Sequence, residues 1–155
     1  MLLEPNISLA RPGDASAIAV LSRDVIEHGL GWNWDRERIL KAIRDPSINV
    51  AVVRSSDSVR GFGIMQYGET TAHLCLLGVQ AALQGKSLGE ALLSWLEKSA
   101  VTAGIECVNV EARADNPRGI DFYVKRGYRI QGRVPGYYGG IIDAVRLKKV
   151  LGVAR

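Results

Sequence analysis

Leu74-Cys-Leu-Leu-Gly-Val-Gln-Ala-Ala-Leu-Gln-Gly-Lys-Ser-Leu-Gly-Glu-Ala-Leu-Leu93 is the stretch from which the fold can be read. Leu74 to Val79 is an apolar run of strand length. A short turn containing Gly85 and Gly89 follows, and then apolar residues at helical spacing. A strand that runs through a small-residue turn into a helix is a ready anion site. The first N–H groups of the helix have no partner inside it, and the helix dipole favours negative charge there. Gly85 and Gly89 let backbone come close to a phosphate. The turn is therefore read as the seat of a cofactor pyrophosphate.

Two better-known phosphate motifs are excluded. Gly85-Lys86-Ser87 resembles the end of a P-loop, but that pattern needs a glycine five residues earlier, where Gln80 stands. The dinucleotide fingerprint G-x-G-x-x-G is absent, and no strand–turn–helix unit near the N-terminus could carry it.

The chain has 155 residues, a length that suits one domain, 1–155, with a core of its own. Its net charge of +4 suits an anionic ligand, but the basic residues are too scattered to point to nucleic acid. Cys75 and Cys107 sit in apolar runs, as buried free thiols do, and His28 and His73 form no ligand cluster, so no metal is expected. No apolar run approaches the roughly 18 residues of a membrane span, and no leader pattern opens the chain; a cytoplasmic protein is expected.

Outward from the central stretch, the alternation of Ile7 to Arg11 predicts an edge strand. Asp14 is placed as N-cap of a helix carrying Ile18, Leu21 and Val25. Asp35 is placed as cap of a second helix through Arg44, which Pro46 blocks. Ile48–Arg54, Val59–Tyr67 and Thr71–Val79 read as three successive antiparallel strands. The long helix buries Leu88, Ala91, Leu92, Trp95, Leu96 and Val101 and stops at Gly104. Cys107–Ala112 is a strand, and Asn116-Pro117 starts a short helix that ends at Gly127. Tyr128–Val134 and Ile142–Leu151 are the last strands, joined by a loop from Pro135 to Gly140. The expected class is α/β (α+β): a mixed, largely antiparallel sheet of about seven strands flanked by about four helices.

Two motifs carry a family resemblance. Gln84-Gly85-Lys86-Ser87-Leu88-Gly89 resembles the acetyl-CoA turn [QR]-x-x-G-x-[GA] of the GNAT superfamily of N-acetyltransferases, with Ser87 at the central glycine position and Ala81 in place of a frequent proline. Glu111-Ala-Arg113 through Asn116, Phe122, Tyr123, Gly127 and Tyr128 resembles E-V-R-x-S-N-x-x-A-x-x-[LF]-Y-x-x-x-G-[FY]. That is the pattern of the bacterial ribosomal-protein alanine N-acetyltransferase branch; Gly119 stands where the pattern has alanine.

The resemblance implies a sheet that splays between the strands ending near Val79 and Ala112, and direct transfer of an acetyl group from acetyl-CoA to a primary amine, without a metal. Tyr123 would be the general acid, since a phenol of pKa about 10 keeps a proton to give to the leaving thiolate. Glu111 would be the base, with Glu69 as a rival. Leu77 and Val79 would pair through their backbone with the pantetheine arm, and Asn116 would bond that arm or a water while also capping its helix. Gln84, Gly85, Lys86, Ser87 and Gly89 would hold the pyrophosphate, with Lys125 and Arg126 as further phosphate partners. Trp32 and Trp34, around Asn33, and Tyr137-Tyr138 would border the acceptor, a protein N-terminus or, alternatively, a small amine. A non-catalytic acyl-CoA-binding module is the other class kept open, because Ser87 could crowd the phosphate turn. A homodimer through an edge strand is also compatible.

Overall fold

A computed structural model describes residues 6–85 and 87–152. Seven strands form one sheet: β1 (Ile7–Leu9), β2 (Ile48–Ser55), β3 (Ser58–Tyr67), β4 (Thr71–Val79), β5 (Cys107–Arg113), β6 (Arg129–Tyr138) and β7 (Ile142–Val150). Their spatial order is β1-β2-β3-β4-β5-β7-β6. Four helices flank it: α1 (Ala15–Val25), α2 (Arg36–Arg44), α3 (Leu88–Thr102) and α4 (Pro117–Lys125). The expected element order and mixed sheet are both present.

All neighbouring strands pair antiparallel except β4 and β5, which run parallel for only four residues, Thr71–Leu74 against Cys107–Val110. Beyond Leu74 and Val110 the two strands part. β4 stays with β3 as far as Val79, and β5 stays with β7 as far as Arg113. On the β3 side, Ile64 faces Leu76 and Met65 faces Leu74, so Cys75 is a bulge residue with no partner. The bulge resets the alternation of β4 at the depth where the strands separate.

The sheet is packed on both faces. One core gathers α3, with Leu92, Leu93, Leu96 and Ala100, against Val108, Val110, Leu147 and Tyr128. The other gathers Ile18 and Ile39 of α1 and α2 against Val50, Val52, Phe62 and Ile64.

Four sequence expectations need correction. First, α3 turns Leu93 and Ala100 fully inward, while Leu88, Trp95 and Val101 lie at the margin. The cause lies in β3: a Cβ on Gly61 would stand 3.1 Å from Leu92, and one on Gly63 only 2.6 Å from Leu96. These two glycines let α3 sink onto the sheet along its Leu92–Leu96 line.

Second, Asp14 precedes α1 but makes no side-chain cap bond. Its carboxylate instead accepts from the Arg11 N–H (2.7 Å) and from the Arg54 guanidinium, which ties the start of α1 to β2. Third, β6 runs through Pro135 to Tyr138, leaving only a short turn after it. Pro135 lies on an edge strand, where a missing N–H costs little, and Gly136 takes a φ of +61° inside an irregular register. Fourth, β1 ends at Leu9. The caps proposed at Asp35 and Asn116 are present, accepting from the backbone of Arg38 (3.0 Å) and Gly119 (3.1 Å).

Gly63→Ala should lower the stability of the protein by about 1–3 kcal/mol, because the added methyl overpacks the Leu96 contact. A midpoint in chemical denaturation equal to that of the parent would show that α3 has room to retreat.

Candidate active site

A cavity of about 630 Å³ opens where β4 and β5 part. One wall is β4 from Leu74 to Val79, and the other is β5 from Val110 to Arg113. The N-terminus of α3 closes one end, α4 forms a side, and Tyr138 reaches in from β6. Ten of the residues singled out from sequence line this one space: Leu77, Val79, Gln84, Gly85, Ser87, Gly89, Glu111, Asn116, Tyr123 and Tyr138. Lys125 and Arg126 line it too, and Lys86 lies outside the described residues.

At the α3 end the turn is shaped for an anion. Gly85 takes a φ of +81° and Ser87 one of +69°, the left-handed region that side chains disfavour. Ser87 makes no side-chain cap, and the first helical hydrogen bond is from Ala91 N–H to the Ser87 carbonyl (3.0 Å), so the N–H groups before it have no partner within the helix. The Gln84 amide donates to the Val79 carbonyl (3.2 Å), which holds the turn against the end of β4. Gly89 serves packing as well, since a Cβ there would meet the Phe122 ring at 3.4 Å.

Arg126 lies over that same ring, 3.9 Å from its centroid. It donates to the Phe122 carbonyl (2.9 Å) and touches Glu90 at 3.4 Å, but its Nε is buried with no partner. An orphaned guanidinium N–H beside a free helix N-terminus fits a phosphate-bearing ligand.

At the deep end, Tyr123 is buried between Phe122 and Tyr128, with ring centroids at 5.2 and 5.4 Å. Burial pushes its phenol far above the ordinary range, so it stays protonated. Across the cleft, Glu111 is not free. Its carboxylate meets His73 Nε2 at 2.5 Å and Arg146 Nε at 3.4 Å, while Cys75 Sγ lies 3.7 Å from His73 Nδ1. The Cys75 sulfur and the Glu111 carboxylate raise His73 to about 10, against the effect of partial burial. The hydrogen bond from His73 holds Glu111 low; burial opposes this, and the charges of His73 and Arg146 assist it.

The pair's contribution to stability therefore has two edges. His73 contributes fully below its ordinary 6.5 and loses that contribution as pH rises through about 10. Glu111 contributes above its ordinary 4.5 and loses that contribution in acid.

His73 was not singled out from sequence as a site residue. The signal that could have found it is the register of β4 on β5, in which His73 faces Asn109, two residues before Glu111.

The acceptor side departs most from expectation. Trp32 donates its indole N–H to the Ala19 carbonyl (3.1 Å) and lies along α1. Trp34 packs into the α1–α2 core beneath Arg38. Neither lines the cavity, because the loop that carries them is organised from below. Buried Glu27 accepts from Ser22 Oγ (2.9 Å) and from the N–H groups of Asn33 (2.8 Å) and Trp34 (3.0 Å). Buried Arg113 grips the carbonyls of Ile26 (3.0 Å) and His28 (2.8 Å) while forking onto Asp115.

Glu69 is exposed in the β3–β4 turn, at the opposite end of β4 from Val79, and does not line the cavity. The Tyr138 hydroxyl donates to the Glu111 carbonyl (3.1 Å), with Tyr137 against it at 4.9 Å and largely facing solvent.

The chain belongs to the Acetyltransferase (GNAT) family, whose profile matches residues 19–128. It is 27% identical over 112 residues to the acetyltransferase SG1711 of Sodalis glossinidius (strain morsitans), covering 65% of this chain and 79% of the relative. Its fold matches Ard1 from Thermoplasma volcanium with a TM-score of 0.85 at 24% identity, over 99% of this chain and 100% of that one. It matches the ribosomal-protein-S18-alanine N-acetyltransferase of Escherichia coli with a TM-score of 0.84 at 21% identity, over 98% and 97%. An aminoglycoside 6′-N-acetyltransferase complexed with coenzyme A matches with a TM-score of 0.81 at 19% identity, over 97% and 99%. No helix among the described residues is long and apolar enough to cross a membrane.

Ser87→Gly should raise stability by about 1 kcal/mol, since glycine takes the left-handed conformation without steric cost. A lower midpoint in urea would show that the Ser87 side chain contributes a contact greater than the strain it carries.

Proposed function

We propose that this acetyltransferase moves the acetyl group of acetyl-CoA to a primary amine by direct attack in a ternary complex, and that the acceptor is a protein N-terminus. The observation that carries the reading is that one continuous cavity joins the anion site at α3 to Tyr123 and Glu111 through the bared stretch of β4. The free N–H groups of α3, with Arg126, hold the pyrophosphate. Leu77 and Val79 offer backbone groups on the side of β4 that β5 has left, where a pantetheine arm takes the place of a neighbouring strand. The thioester then lies near the Cys75 bulge, where β4 leaves β5.

The amine attacks the thioester carbon while the C–S bond breaks. Tyr123 gives its proton to the departing sulfur. The proton lost by the amine passes to the Glu111–His73 pair and leaves through the partly exposed edge of His73. Asn116 stays with its capping bond and bounds the cavity. A Cβ placed on Gly139, in the turn after β6, would stand 3.8 Å from Leu30 of the α1–α2 loop, so the two loops come together. A small-amine acceptor is the second reading. It is favoured by the position of Trp32 and Trp34 away from the cavity, which removes two of the side chains expected to grip a peptide.

Two measurements test the chemistry. Tyr123→Phe should lower turnover by about 10²-fold or more, with acetyl-CoA affinity by isothermal titration unchanged within about twofold. Equal losses in both would make Tyr123 a packing residue. The rate at saturating acetyl-CoA should climb with pH toward about 10, because the pair can take a proton only where His73 has lost its own. His73→Gln should abolish that alkaline limb, since Glu111 is then free of the imidazolium. Superimposable profiles would take His73 out of the proton path.

A further inference from the structure

The cleft holds a nucleophile that the transfer chemistry leaves unused. Cys75 is the first residue of β4 past its last pair with β5, and it is the bulge residue that β3 leaves without a partner. It lines the cavity together with Leu77 and Glu111 and is only partly buried. Its sulfur lies 3.7 Å from His73 Nδ1, and His73 Nε2 meets the Glu111 carboxylate at 2.5 Å. A thiol, an imidazole within hydrogen-bond reach of it and a carboxylate that orients the imidazole thus follow one another at the wall of the cleft. The second cysteine has none of this. Cys107 is 7% exposed, faces Thr71 at the far end of the parallel stretch and does not line the cavity. Neither cysteine is in a disulfide.

The position of the thiol decides what reaches it. In the acetyl-CoA reading above, the pantetheine arm runs along Leu77 and Val79 and brings its sulfur toward the Cys75 bulge. An electrophile carried at the end of that arm meets the Cys75 sulfur at the effective concentration of a bound ligand. In acetyl-CoA that electrophile is the thioester, which the amine consumes. In the disulfide of coenzyme A it is a sulfur, which only a thiol attacks.

We propose that Cys75 is a thiol–disulfide exchange site for the disulfide form of coenzyme A, which fixes one coenzyme A covalently in the cleft and stops transfer until a free thiol releases it. This rests on the acetyl-CoA reading of the cavity. The Cys75 sulfur attacks the sulfur of the half seated in the cleft, and a new S–S bond forms as the old one breaks. The second coenzyme A leaves as a thiolate and takes up a proton, while the Cys75 proton passes to solvent by way of His73. The Cys75 sulfur is oxidised and the departing sulfur is reduced, so no further oxidant enters.

The test treats the reduced full chain with coenzyme A disulfide and, in parallel, with oxidised glutathione, and follows labelling by intact mass and peptide mapping. Titration calorimetry with coenzyme A runs beside it. A single adduct on Cys75 is expected, forming on the order of tenfold or more faster with coenzyme A disulfide than with oxidised glutathione. Acetyl-CoA should slow it, dithiothreitol should reverse it, and Cys75→Ser should stay unlabelled while still binding coenzyme A. His73→Gln should slow the exchange without changing coenzyme A affinity. Equal rates with the two disulfides and no protection by acetyl-CoA would overturn the proposal, and so would labelling at Cys107. No adduct while coenzyme A still binds would overturn the exchange and leave the acetyltransferase reading intact. Failure of coenzyme A itself to bind would overturn both.

Discussion

The parting of β4 from β5 is the constraint on which the rest of the molecule depends. Parallel pairing ends at Leu74 and Val110, and from there each strand is held by its other neighbour, β4 by β3 and β5 by β7. The exposed inner edges carry unpaired N–H and C=O groups, a costly arrangement unless a ligand or water satisfies them. The rest of the fold is arranged to make that opening persist. The β3 glycines bring α3 down onto the β2–β4 half of the sheet, and α4 packs through Tyr123 beside Tyr128 on the β5 half. One core runs beneath both halves, and the helix that follows β4 begins at the mouth of the gap. An anion site at one end of the cleft follows from that connection, with no dedicated loop needed.

A second organising device is the pair of buried charges that shape the α1–α2 loop. Glu27 gathers its own loop by accepting from two backbone N–H groups and one hydroxyl, and Arg113 ties the beginning of that loop to the end of β5. Both side chains are hydrogen-bonded, which offsets part of the cost of burying charge. Arg113 lies two residues from Glu111 on one strand. The same backbone therefore positions the Glu111 carboxylate and ties down the start of the α1–α2 loop.

The strands and helices were legible because periodicity and punctuation agree: Asp35 and Asn116-Pro117 start helices where they stand, and Ser56-Asp57 makes a tight turn with φ values of +52° and +63°. The turn proposed for the cofactor was legible in its geometry for the same reason, since a strand, a glycine turn and a helix are local in sequence and follow from order alone. What sequence could not give is lateral. His73 became a site residue only once the β4–β5 register set it against Glu111 across 38 positions of chain. Trp32 and Trp34 had the composition of a binding wall, but buried Glu27 turns their loop toward α1 and α2. The length of β6 was misread because proline and glycine in sequence resemble a loop, and an edge strand tolerates both.

The electrostatic profile of the cleft bears on the proposed chemistry as a whole. Cationic groups stand along the cleft, Arg126 beside the N-terminus of α3 and Arg146 beside Glu111, while the centre holds a neutralised Glu111–His73 pair. An amine entering such a field is favoured in its uncharged form, because like charges disfavour the ammonium. An α-amino group, with an ordinary pKa near 8, gives up its proton for far less free energy than a lysine side chain near 10.4. Each unit of that difference corresponds to about 1.4 kcal/mol, so a positive cleft penalises a lysine nucleophile more than a chain terminus. Under the proposed mechanism the pair at the centre need not be a strong base. The surrounding cations lower the cost of presenting a free amine, most of all for one as weakly basic as a chain terminus.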